Sequence, residues 1–111
     1  MSQLQTLIVR VDCSTVRVGV KDEGHNISEF ISGAVGGLFA HVTLRSDLDF
    51  WCNDNGIALG LPINEVATAL YDQPIFGDVV FMGGTDSSGE PLSLGTNHAT
   101  AIELLSAMAR A

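Results

Sequence analysis

Three of the chain's five Lys and Arg residues, Arg10, Arg17 and Arg45, have the type and spacing to hold an anion. A guanidinium presents a planar fork of N–H donors that matches phosphate or carboxylate oxygens. Leu4–Val11 and Thr15–Val20 both alternate with period two, and Asp12-Cys13-Ser14 between them is turn-prone, so the segment reads as a hairpin. A loop from Asp12 to Thr15 sets Val11 against Val16, Val9 against Val18 and Leu7 against Val20 on one buried face. The same register sets Arg10 opposite Arg17 on the other face. Like charges so placed are destabilising unless an acid or a bound anion lies between them. The competing expectation is that both guanidiniums splay into water or pair with acids of a neighbouring element.

Other residues add candidates for the same chemistry. Phe50, Trp51 and Tyr71 have rings that can stack on a nucleobase, of which Trp51 and Tyr71 are kept; core or interface packing is their commoner use. The loop GGTDSSGE offers backbone N–H groups at Gly83 and Gly84 and the hydroxyls of Thr85, Ser87 and Ser88, a composition that can cradle phosphate. It lacks the Gly-Lys-Ser/Thr ending of a P-loop, and a hairpin loop of this composition needs no ligand.

Catalysis and metal binding find less support. His25, His41 and His98 are scattered without the i, i+2 or i, i+4 spacing of a metal site. His41 reads as a partly exposed strand residue and His98 as a first-turn helix residue. Nothing resembles a serine or cysteine nucleophile motif. Asp47 with Asp49, or Asp86 with Glu90, read as solvated carboxylates rather than an acid–base pair. Cys13 and Cys52 read as buried or half-buried thiols rather than a disulfide framework. The expectation is a protein that is not an enzyme and takes no metal or cofactor.

The chain of 111 residues suits one domain over residues 1–111. Its formal net charge is −8, from 5 Lys and Arg against 13 Asp and Glu. The basic and acidic residues of 1–45 cancel, whereas 46–111 holds Arg110 against nine acids. Such a surface repels phosphate backbones and argues against duplex DNA binding. A mean hydropathy of +0.30 with 16% charged residues points to apolar surface buried in a homo-oligomer. No run approaches the roughly 20 apolar residues needed to span a bilayer, so no membrane role and a cytoplasmic location are expected.

The elements that must position these residues follow from periodicity. After the hairpin, Ile27, Phe30, Ile31 and Ala34 have helical spacing behind a possible Asn26 cap, and Gly36-Gly37 stops them. Leu38–Leu44 and Leu48–Cys52 alternate as strands, and Asn53–Gly56 reads as a second hairpin tip. Asn64 caps a short helix to Tyr71, Ile75–Met82 is strand-like, and Leu92–Leu94 reads as a brief strand. Thr96–Ala109 is the longest helix, with Ile102, Leu105 and Met108 on one face and Thr100 and Glu103 at capping-box spacing. The result is an α+β fold: a small, mostly antiparallel sheet with two or three short helices on one face.

The strings AVGGLFAHVTL, FWCNDNGIALGLPINEVATALYD and IFGDVVFMGG resemble the domain of unknown function family 3846. The most specific parts are the Asn-Asp-Asn-Gly turn, Gly60–Asn64, Ala67–Tyr71 and Gly77–Val80, within a resemblance strongest over residues 34–95. That resemblance implies a small protein of phages or actinobacterial mobile elements, with no activity to carry over. Two expectations follow. In the first, an oligomer sequesters a small signalling nucleotide of host defence, its phosphates on Arg10, Arg17 and Arg45. In the second, the acidic half binds a host nucleic-acid-binding protein, in the extreme case by imitating DNA.

Overall fold

A computed structural model describes residues 3–110. Its elements run β1 (Gln3–Val9), β2 (Thr15–Lys21), α1 (Asn26–Val35), β3 (Phe39–Arg45), β4 (Leu48–Asn53), α2 (Glu65–Tyr71), β5 (Val79–Met82) and α3 (Thr96–Arg110). The strands form one sheet in the order β2-β1-β5-β4-β3, antiparallel at each pairing. The fold is α+β.

The helices lie on both faces rather than on one. Every residue of β5 is buried, and its side chains alternate between two separate cores. Val79 and Phe81 join Leu7, Val9, Phe50, Val66, Ala99 and Ile102 under α2 and α3. Val80 and Met82 join Ile31 and Val35 of α1, with Ile8, Phe39 and Trp51 packed around them. A central strand that is apolar at every position needs cover on both sides, and α1 supplies the second layer.

The first hairpin adopts another register. Arg10 belongs to the turn: its N–H donates to the Ser14 carbonyl at 2.9 Å, and the Cys13 N–H donates to the Arg10 carbonyl at 2.9 Å. Cys13 sits in the left-handed region at φ 68°. Val9 therefore pairs with Thr15, Ile8 with Val16, and Leu7 with Arg17. Slipping by an odd number of residues turns β2 over, since side chains alternate along a strand. Ile8 and its partner Val16 thus share the α1 face, while Arg17 shares the α3 face with Leu7.

Asn64 is fully buried and ties the motif around it together. Its amide donates to the carbonyls of Val9 and Gly77, each at 3.0 Å, and its Oδ1 caps α2 by accepting the Ala67 N–H at 3.1 Å. Three further expectations change. Asn53–Gly56 opens a helical turn toward α2 rather than a hairpin tip, with the Leu59 N–H donating to Asn55. Leu92–Leu94 is no strand, though its end runs beside β1, the Leu94 N–H donating to the Gln5 carbonyl at 2.9 Å. In α3 the buried positions are Ala99, Ile102 and Ser106, and Met108 is exposed because it lies on the opposite side of the helix from that stripe.

Candidate functional site

Helix α3 divides its face of the sheet, with an arginine on either flank. Toward β2, Arg17 is already paired: Nη2 and Nε meet the two Glu103 carboxylate oxygens at 2.6 and 2.8 Å, and Nη2 also reaches Thr100 Oγ1 at 3.3 Å. This bidentate bond lowers the Glu103 carboxyl below its ordinary range and raises the Arg17 guanidinium above its own. Thr100 and Glu103 are therefore no capping box. The helix begins four residues before Thr100, and both side chains point to β2.

Toward β3 the arrangement is open. The β3–β4 ladder shifts register between Thr43 and Arg45, so that Arg45 pairs with Leu48 and lies on the α3 face with it. Arg45 and His98 then border a groove of about 410 Å³ floored by Leu48, Leu70, Ala101, Ile102 and Leu105. Arg45 has no ion pair among the described residues. His98 Nε2 lies 3.1 Å from Asp47 Oδ2 in the β3–β4 turn. That hydrogen bond, with a lesser pull from Arg45, holds the Asp47 carboxyl below the usual range. The helical spacing 98, 101, 102, 105 puts the groove residues on one side of α3, away from 100 and 103.

The three arginines thus do not converge. Arg10 stands at the end of the sheet opposite Arg45, and Arg17 stands on the opposite flank of α3 from Arg45 with its charge met by Glu103. The expected cross-strand pair of Arg10 and Arg17 does not form, because the turn is longer than the composition of Asp12–Thr15 implied. The aromatic candidates also separate. Trp51 lies on the α1 face, stacked on His41 at 4.3 Å between centroids with Phe39 edge-on at 5.4 Å. Tyr71 packs against Phe50 on the other face.

The Gly83–Glu90 loop directs most of its backbone donors inward. The N–H groups of Gly83, Gly84, Asp86, Ser88, Gly89 and Glu90 all donate to acceptors of the protein itself. Thr85 forms a bridge with Pro91, while Ser87 and Ser88 sit at the exposed tip. The two glycines answer to backbone approach: a Cβ on Gly83 would strike the Ser93 carbonyl, and one on Gly84 the Ser46 carbonyl.

That close approach serves a second polar cluster, on the α1 face. Asp49 is 1% exposed; Oδ1 accepts the Gly84 N–H at 3.2 Å and Oδ2 meets His41 Nε2. A buried carboxylate needs such partners, and this pair fixes the imidazole on Trp51. Asp49, expected to be solvated, is thus buried, and His98, expected to be an ordinary helix residue, borders the groove. The signal for Asp49 is its place within the apolar strand LDFWC, diagonal to His41 once β3 and β4 are paired. Among the described residues no group of three His, Cys, Asp or Glu gathers as a metal site, and no helix is long and apolar enough to cross a membrane.

With this geometry in view, the profile of the family described as Domain of unknown function (DUF3846) matches residues 5–106. The chain belongs to this family. The match takes in most of β1 through most of α3, so the groove, the Arg17–Glu103 pair and the Asn64 cap all lie within the DUF3846 domain. No curated protein and no solved structure matches the chain.

Proposed function

We propose that this DUF3846 chain is a non-catalytic binding protein whose groove beside α3 takes a small anionic ligand with an apolar, planar body, a nucleotide being the class that fits. The observation that carries this reading is Arg45: a guanidinium without an ion-pair partner among the described residues, set with the His98 imidazole at the rim of an apolar groove. A volume of about 410 Å³ falls within the range of small-molecule sites, where apolar walls and a few polar groups set affinity and orientation. The phosphate would meet Arg45 and His98 while the base lies over Leu48, Leu70 and Leu105. Sequestering a signalling nucleotide, in a phage or mobile-element setting, is the use this reading favours, and the low charge density fits a homo-oligomer in the cytoplasm.

A ligand that binds the folded state alone raises stability by RT ln(1 + [L]/Kd), about 2.7 kcal/mol at a hundredfold excess over Kd. Melting is therefore measured against adenine mononucleotides, cyclic dinucleotides and inorganic phosphate. A rise of several degrees that Arg45→Ala removes supports the proposal; no rise with any of them overturns it.

The second reading, an acidic inhibitor of a nucleic-acid-binding protein, draws on the other end of the sheet. There Leu38, Ile57 and Leu59 are exposed, and Asp54 is joined to Leu38 through a 2.9 Å backbone bond. Exposed apolar residues beside an acid, in a chain of net charge −8, suit a basic protein partner, and binding that weakens as salt rises is its signature.

A further inference from the structure

The β3–β4 turn consists of Ser46 and Asp47 between the paired residues Arg45 and Leu48. The Asp47 carboxylate meets the His98 Nε2 donor there at 3.1 Å, and Arg45 lines the same groove as His98. The Asp47 side chain is 69% exposed and sits at a two-residue tip, so only its own rotation is needed to leave His98.

We infer that Asp47 stands in the groove's anion position as an internal competitor, and that the site takes a phosphate monoester in preference to a carboxylate. The inference rests on the groove being the ligand site proposed above. A carboxylate ligand would replace Asp47 like for like, one negative charge and two acceptor oxygens for another. A phosphate monoester brings a charge of about −1.5 to −2 and three acceptor oxygens, enough to engage Arg45 and His98 together. Displacing Asp47 costs every anion alike, so only a ligand that offers more than a carboxylate does gains over the internal competitor. The apolar floor of Leu48, Leu70 and Ile102 then favours an ester whose organic group is planar and apolar.

The test is calorimetric titration of phenyl phosphate and benzoate into the full chain and its Asp47→Asn, Asp47→Ala and Arg45→Ala variants. Melting checks that each variant folds. Phenyl phosphate should bind both Asp47 variants about fivefold more tightly than the parent, the most an exposed ion pair is worth. Benzoate should bind the parent more weakly than phenyl phosphate does and gain a similar factor in the Asp47 variants, and Arg45→Ala should bind neither probe. If the parent binds phenyl phosphate through Arg45 and the Asp47 variants bind it no more tightly, the competitor role is overturned while the groove stands. Equal binding of benzoate and phenyl phosphate by the parent overturns the ligand class. Absence of binding by both the parent and the Asp47 variants, or binding unchanged in Arg45→Ala, removes the groove as the ligand site and this inference with it.

Discussion

The two flanks of α3 hold the same residue type on the same face of one sheet, yet they leave it in different states. Arg17 on β2 meets a carboxylate and a hydroxyl one helical turn apart, Glu103 and Thr100, and is closed by them. Arg45 at the end of β3 shares a groove with His98 and a wall of Leu, Ala and Ile, with the exposed Asp47 in the adjoining turn. The difference lies in α3's sequence, which sends one acid toward β2 and none toward β3. An arginine in a strand is thus a candidate anion site only once the helix that covers it is known.

The largest disturbance to this contrast comes from the residue that both flanks share. Ile102→Ala empties the core beneath α3 and should cost about 2–5 kcal/mol, read by denaturant unfolding, with the groove and the Arg17 pair lost together. A sharper contrast comes from the two arginines singly. Arg45→Ala should leave the melting temperature nearly unchanged and abolish phosphate-dependent stabilisation, whereas Arg17→Ala should lower melting slightly and leave that stabilisation intact. Equal effects of the two substitutions would break the comparison.

Glu103→Gln sharpens it further by releasing Arg17 beside a cavity of about 260 Å³ lined by Gln5, Thr6, Thr96 and Ala99. The variant should gain a second, weaker phosphate site, seen as added stoichiometry in titration. The smallest effect concerns acid. The Glu103 carboxyl is depressed in the fold by Arg17, so its contribution is present above the ordinary carboxylate range and is lost as pH falls through the lower folded value. From about pH 5 to about pH 3, the parent's melting temperature should fall more than that of Glu103→Gln.

Much of the fold was legible because periodicity reports local structure. The apolar stripe behind Asn64 and the alternation at Leu48–Cys52 appear where they were expected, and Asn64 caps its helix. The register of the first hairpin was not legible. Val16, Val18 and Val20 can face either core once the sheet is covered on both sides, and the choice is made by a turn that begins at Arg10. The unbroken apolar run of β5 held the clue to that double cover. Of the site, Arg45 was named as one of three anion-binding arginines, but its orientation depends on a register shift, and His98 and the groove floor come together only through the packing of α3 on β4. Asp49 shows the same limit: its burial follows from the Gly84 N–H and His41 arriving from other segments.

The most direct test follows the backbone amides by NMR as phenyl phosphate is titrated into the protein. The account predicts that the largest shifts fall on Arg45, Asp47, Leu48, His98, Ala101 and Leu105, along one side of α3. Shifts centred on Arg17 and Thr100, or on the turn at Arg10, or no shifts at all, would contradict it.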